Sequence, residues 1–205
     1  MTTEYRTLAG PARTRFVVQG SEFIGHARPV ETVDDAEAFI AEVEAEYADA
    51  THNVPAYRVR VGDGSLGGGM LREYSNDDGE PSGSAGKPML NVLQGRELEN
   101  VAVVVTRYYG GTNLGVGGLV RAYSKSVKDA IAEAGVVTEV PHERFVAEVE
   151  YDDSGTVRGI LESQGVAFEA AYDATVSFEV RVPTADAEGL RDRLRSATNG
   201  RIEIE

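Results

Sequence analysis

Hydrophobic and polar positions along this chain change period several times, and each change marks an element. Residues 15–19 and 22–30 read as two strands joined at Gly20-Ser21, with Pro29 near the end of the second. Thr32 and Asp35 form a capping-box pair. Behind them Val33, Ala36, Phe39, Ile40, Val43 and Tyr47 make one apolar stripe at helical spacing, with Asp35, Glu42 and Glu46 on the other side. Residues 57–61 alternate as a strand, and Gly62-Asp63-Gly64 opens a glycine-rich, flexible hairpin loop running to Gly69. Residues 76–88, NDDGEPSGSAGKP, are dense in turn formers and lead into a short helix over 89–98, with Pro88 at its first turn. The β-branched run 101–105 reads as a buried strand. After a glycine loop, a helix spans 118–134 and buries Leu119, Val120, Tyr123, Val127, Ile131 and Ala134.

A strand at 136–140 and a linker at 141–144 close this first part, which sets the boundary between domains 1–140 and 141–205. The second part opens with alternation through Phe145, Ala147, Val149 and Tyr151. A helix capped by Asp153 or Ser154 follows to Gln164, with Val157, Ile160 and Leu161 inward. Strands at 166–170 and 175–182, a helix from Pro183-Thr184 that uses Leu190 and Leu194, and a strand at 201–205 complete it. The order β-α-β-β-α-β in about 60 residues is the ferredoxin-like arrangement. The fold class expected for the whole chain is α+β.

Length and composition narrow the function. The 205 residues suffice for one large domain or two small ones. There is no Cys, which excludes disulfides, thiolate nucleophiles and Cys-based zinc sites, and three scattered His are too few for a metal cluster. No signal core or membrane-length apolar run is present, so a soluble cytoplasmic protein without cofactor is expected. The chain is acidic, with 34 Asp and Glu against 20 Lys and Arg, a net charge of −14. Residues 1–140 hold 13 basic and 20 acidic groups and residues 141–205 hold 7 and 14, so each part nets −7 and neither is a basic nucleic-acid module by bulk charge. Only Lys87, Lys125 and Lys128 are lysines. High acidity with so little lysine suggests a halophilic protein, kept soluble in a salt-rich cytosol, where screening leaves recognition to hydrogen bonds and stacking.

Against that background residues 106–131 stand out. No Asp or Glu occurs between Glu99 and Asp129. Gly110, Gly111, Gly115, Gly117 and Gly118 remove side chains from a strand-to-helix turn, so its backbone N–H groups can be approached closely by an anion. Arg107 ends the strand, and Arg121, Lys125 and Lys128 share one helix face at i, i+4 and i+7. The competing reading is a common glycine-rich turn beside the solvated face of a helix. The spacing fits neither a P-loop nor a dinucleotide fingerprint.

The loop at 76–88 carries three carboxylates, Asp77, Asp78 and Glu80, together with Ser82, Ser84 and Lys87. Three uses compete for it: a cation site, a hydrolytic set of Ser82 or Ser84 with His52 and a carboxylate, or a rigid loop beside the glycine turn. The D-D-G-E run lacks EF-hand spacing, and no G-x-S-x-G elbow is present. His52 alone reads as a hydrogen-bonded loop residue more readily than as a catalyst.

Together the two loops resemble the YigZ/IMPACT family. The resemblance is carried by Asp78, Gly79, Glu80, Pro81, Gly83, Ser84, Ala85, Gly86 and Pro88, by 106–111, and by 114–123. Ala50-Thr51-His52, Ala56-Tyr57, Ser21, Phe23 and Ile24 extend it, and it covers about the first 135 residues. Departures are Ser84 for Thr, Tyr109 for Phe, and Val54-Pro55 where a Cys is frequent. The resemblance implies an N-terminal α/β domain of the ribosomal-protein and translocation-factor type, followed by one like that factor's last domain. Both of those neighbours touch RNA. The eukaryotic relatives that it resembles regulate translation by antagonising activation of an amino-acid-starvation kinase, through an extra domain and partners that this sequence does not show. For prokaryotic members the resemblance implies RNA or ribosome binding without an established reaction.

The leading expectation is therefore a non-enzymatic module that binds RNA or a translation component. Arg107 and Arg121 would meet phosphates, Tyr108 or Tyr109 would stack on a base, Gly110, Gly111, Gly115, Gly117 and Gly118 would offer backbone donors, and Lys125 and Lys128 would extend the patch. His52, Asp78, Glu80, Ser84 and Lys87 would form an accessory loop. The alternative is a hydrolase or phosphate-handling enzyme using Asp78, Glu80 and His52 around the same cleft. A third reading is protein docking, in which the glycines only let helix and sheet pack closely.

Overall fold

A computed structural model describes residues 4–62 and 70–205. The expected hairpin loop between Asp63 and Gly69 lies outside the described residues. The rest divides into two compact units, residues 5–62 with 70–139, and residues 140–205.

In the first unit, strands β2 (Ala12–Val18), β3 (Ser21–Pro29), β4 (His52–Val61), β5 (Met70–Ser75) and β6 (Val101–Tyr108) form an antiparallel sheet in the order β2-β3-β6-β4-β5. Helix α1 (Val33–Glu46) packs on one face, and α2 (Gly86–Gly95) and α3 (Gly115–Ala134) pack on the other. A separate two-stranded ribbon joins β1 (Tyr5–Leu8) to β7 (Val136–Glu139). The central strand β6 explains the layering. Its alternate residues Val101, Val103 and Val105 enter the α2/α3 core, while Ala102 and Val104 enter the α1 core, so a continuous apolar run fills both sides.

Several boundaries differ from the sequence reading. Strand β4 begins at His52, five residues early, and tolerates Pro55 inside the sheet. Strands β1 and β5 carry too weak an alternation to be seen without their partners. Helix α2 starts at Gly86 and α3 at Gly115, three residues earlier than expected in each case; the first four residues of α3 include three glycines, which carry no apolar stripe. Thr32 forms the capping box with Asp35: its Oγ accepts from the Asp35 N–H at 3.0 Å, and Asp35 Oδ2 accepts from the Thr32 N–H at 2.9 Å.

The second unit runs β8 (His142–Val149), α4 (Tyr151–Gln164), β9 (Ala167–Tyr172), β10 (Val176–Pro183), α5 (Thr184–Ala197) and β11 (Glu203–Ile204). Its antiparallel sheet has the order β11-β8-β10-β9, the ferredoxin-like topology. Phe145, Ala147 and Val149 meet Val176, Phe178, Val180 and Val182 beneath α4 and α5 in one core. Tyr151 lies beyond the strand, in the first turn of α4, and is half exposed.

His26 on β3 gives the first unit a pH response. Its ring packs against Tyr47, and its Nε2 lies 3.3 Å from Thr106 Oγ1. That hydroxyl already donates to Asn53 Oδ1 at 2.7 Å, so it accepts from His26, whose Nε2 carries a proton. Burial, then repulsion from Arg13, lowers the His26 pKa from 6.5 to about 4. The folded state thus binds fewer protons than the unfolded chain between these values. Stability should be complete above 6.5, fall as pH drops, and level off near 4 for this group, a loss of about 2 kcal/mol after solvent screening is allowed for. Urea midpoints at pH 7, 5.5 and 4.5 should show the decline in the parent protein and a flatter response in His26→Gln; parallel curves would contradict it.

Candidate functional site

The site begins with the end of β6. Arg107 continues the face set by Val101, Val103 and Val105, so its side chain points under α3 rather than outward. Phe23 on β3 and His52 on β4 are its cross-strand partners in the same row. The guanidinium is 5% exposed and would be a severe liability without a counter-charge. Glu80, 3% exposed, supplies it: Arg107 Nη1 donates to Glu80 Oε1 at 2.6 Å. Tyr123 of α3 donates to the same oxygen at 2.7 Å, and His52 Nε2 stands 3.8 Å from it. Arg107 Nη2 donates to Ser21 Oγ at 3.2 Å, and that hydroxyl also accepts from the Gly110 N–H at 3.1 Å. Burial, then the hydrogen bond and charge of Glu80, raises the Tyr123 pKa far above the ordinary phenol value and keeps the phenol protonated as a donor.

Glu80 reaches this position because its loop is tied down at three points. Asp77 Oδ2 accepts from the Gly83 N–H at 2.7 Å, and its Oδ1 accepts from Ala85 at 3.1 Å and Gly86 at 2.9 Å, which serves the N-terminus of α2 from a distance. Burial pushes the Asp77 carboxyl up, but the donors from Gly83, Gly86 and Ala85 outweigh it and hold its pKa below the usual Asp value. Asp78, at φ 45°, accepts the Asn53 N–H on Oδ2 at 2.6 Å. The carbonyl of Asp78 lies 2.6 Å from His52 Nδ1, which must carry a proton to donate there.

These partners correct two expectations. Arg107 is committed to Glu80 and Ser21, so it is an internal brace and not a phosphate contact. The hydrolytic set does not assemble: Ser84 Oγ donates to the Pro81 carbonyl at 2.6 Å, while Asp78 and His52 hold each other and the start of β4. Among the described residues no group of three His, Asp or Glu could hold a metal ion.

The outward-facing part is the bend after β6. Tyr109 is 46% exposed, with its N–H held by Thr51 Oγ1 at 2.9 Å and its hydroxyl donating to Asn113 Oδ1 at 3.0 Å. The Arg107 guanidinium lies 5.4 Å behind its ring. Tyr108 points to the other side and donates to Asp49 Oδ1 at 2.8 Å, which raises its pKa to about 12. Gly110, Gly111, Gly115 and Gly117 are exposed and Gly118 partly so. Helix α3 starts with no side-chain cap and no acidic residue in its first turn, leaving its first N–H groups to the solvent side. A Cβ built at Gly117 would sit 3.6 Å from Arg121 Nη1, so that guanidinium lies over the uncapped turn. Arg121, Lys125 and Lys128 are all exposed on α3, as expected, though Lys125 pairs with Asp129 and covers Phe16. Lys87 is exposed in the first turn of α2.

Sequence reasoning missed Asp77 as the anchor of the loop, and Ser21 and Tyr123 as partners of the buried pair. A buried Tyr hydroxyl demands an acceptor, so Tyr123 in an apolar helical stripe was a usable signal. Asp77 lies too far from α2 in sequence for any local capping rule to find it.

Residues 19–131 match the model of the Impact N-terminal domain, and residues 148–201 match a domain of unknown function, DUF1949. The chain is 36% identical to IMPACT family member YvyE of Bacillus subtilis, over 100% of this chain and 91% of that protein. It is 32% identical to IMPACT family member YigZ of Escherichia coli, over 96% and 94%. A crystal structure of a hypothetical protein, 30% identical, superposes with a TM-score of 0.65 over 100% of this chain and 97% of its own. With a domain model spanning more than half of its residues and a relative matched along its whole length, the chain belongs to the IMPACT family.

Proposed function

We propose that the protein is a non-enzymatic module of translation regulation that docks RNA, or an RNA-containing part of the translation machinery, on the bend between β6 and α3. The observation that carries this reading is the convergence at that bend of an exposed Tyr109 ring, the uncapped first turn of α3, and the Arg121 guanidinium lying over it. An anion there would meet N–H donors and a positive helix end, and a base could stack on the tyrosine. Gly111, with nothing within 4 Å of the Cβ that it lacks, keeps the approach clear. The acidic remainder of the molecule repels phosphate, which favours binding along this acid-free stretch.

Arg107 cannot be removed to test this, because its loss would disturb the fold. Tyr109→Ala with Arg121→Ala removes only exposed groups. Retention of a single-stranded RNA oligonucleotide by this variant should fall at least tenfold, in keeping with about 1–3 kcal/mol per stacked base, while its thermal midpoint stays within about 2 °C of the parent. Unchanged retention would reject the site.

A further inference from the structure

We propose that the groove between α2 and α3 docks an acidic, amphipathic segment of a partner protein. Pro88, Val92 and Val120 form its apolar floor, and Arg96 and Lys128 stand exposed at its rim around a cavity of about 360 Å³. Among the described residues neither Arg96 nor Lys128 is paired with a carboxylate, and no acidic residue lines the groove.

The charge distribution is what selects the occupant. Helix α1 carries six Asp and Glu in 14 residues, whereas α2 carries none and α3 none before Asp129. All three lysines of the chain lie on α2 and α3. In a molecule of net charge −14, an acidic partner is repelled by most of the surface and met by cations here.

The floor decides between partner classes. Bases bind by stacking on aromatic faces, and this floor is aliphatic and offers none. Aliphatic side chains from one face of a helix fit such a groove, with carboxylates on their flanks reaching the rim. The RNA proposal above uses the opposite feature, an aromatic ring beside an open helix end. Tyr109 does not line the groove, so the two readings can fail separately.

The test uses the full chain and a fluorescein-labelled 14-residue peptide of Glu and Leu, with Leu at i, i+3, i+4 and i+7. A scrambled peptide, a Lys-for-Glu peptide and a uridine-rich RNA oligonucleotide serve as comparisons. Binding is read by anisotropy and by amide chemical shifts. The Glu/Leu peptide should bind and move the signals of Val92, Val120 and Ser124. Arg96→Glu with Lys128→Glu should weaken it at least tenfold, and Tyr109→Ala should leave it unchanged. Both charge changes are at exposed positions and leave the fold intact; an unaltered amide spectrum outside the groove checks this. Absence of peptide binding, equal binding of the scrambled peptide, or binding indifferent to the charge reversal would overturn the proposal. So would movement of the groove signals by the RNA and not by the peptide.

Discussion

Replacing Glu80 by Ala should destabilise the first unit by about 3–5 kcal/mol, the range for removing one partner of a buried ion pair. The substitution would leave the Arg107 guanidinium enclosed by Phe23, Tyr123 and the α2/α3 core with Ser21 as its remaining polar contact. Arg107 Nε is already buried without a hydrogen-bond partner. The Tyr123 hydroxyl would lose its acceptor in the same step. A domain of this size is stable by only about 5–15 kcal/mol, so a large share of the folding free energy would go. Urea unfolding followed by amide exchange in β6 measures it. The double variant Glu80→Met with Arg107→Met should be more stable than Glu80→Ala, because it removes both charges instead of stranding one. If the double variant were the less stable, the pair would be contributing through geometry rather than through mutual neutralisation.

That buried pair also shows how far the sequence could be read. Periodicity found α1, α3 and the ferredoxin-like order, because those elements bury one face against a core and repeat apolar residues at 3.6 or 2 positions. The same rule placed Arg121, Lys125 and Lys128 on the exposed side of α3, where they are. It could not place Arg107. Alternation along β6 puts residue 107 on the same face as Val105, but whether that face is still covered at the strand end depends on α3 above and on a loop arriving from 27 residues earlier in the chain. The run from 100 to 128, free of Asp and Glu, was legible as an asymmetry, and only the fold separates its parts into an internal brace, an open bend and a groove wall. The carboxylates of the second loop were seen, but the sequence left their use open between a cation site, a hydrolytic set and a rigid loop. Their individual partners, Gly83, Ala85 and Gly86 for Asp77 and Asn53 for Asp78, are set by chain closure rather than by spacing.

Gly110→Ala should be the most damaging single change in the bend, at about 3 kcal/mol or more. A Cβ built at Gly110 falls 1.9 Å from the Gly20 carbonyl carbon, 2.1 Å from its oxygen and 2.3 Å from the Ser21 nitrogen. All three are backbone atoms of the β2–β3 turn, so no side-chain rotation can make room. Either β3 or β6 must shift at its end, and the shift would carry Ser21 away from the Gly110 N–H and from Arg107, loosening the brace as well. Gly111→Ala is the informative contrast. Its neighbourhood is open, with nothing within 4 Å of the added carbon, and only its φ of 85° opposes the change, at about 1–2 kcal/mol. If the close approach of two backbones is what holds Gly110, chemical denaturation should rank the variants parent, Gly111→Ala, Gly110→Ala in falling order, with Gly110→Ala also accelerating amide exchange around Ser21. Equal losses at the two positions would mean that backbone conformation, and not contact with the β2–β3 turn, governs the bend.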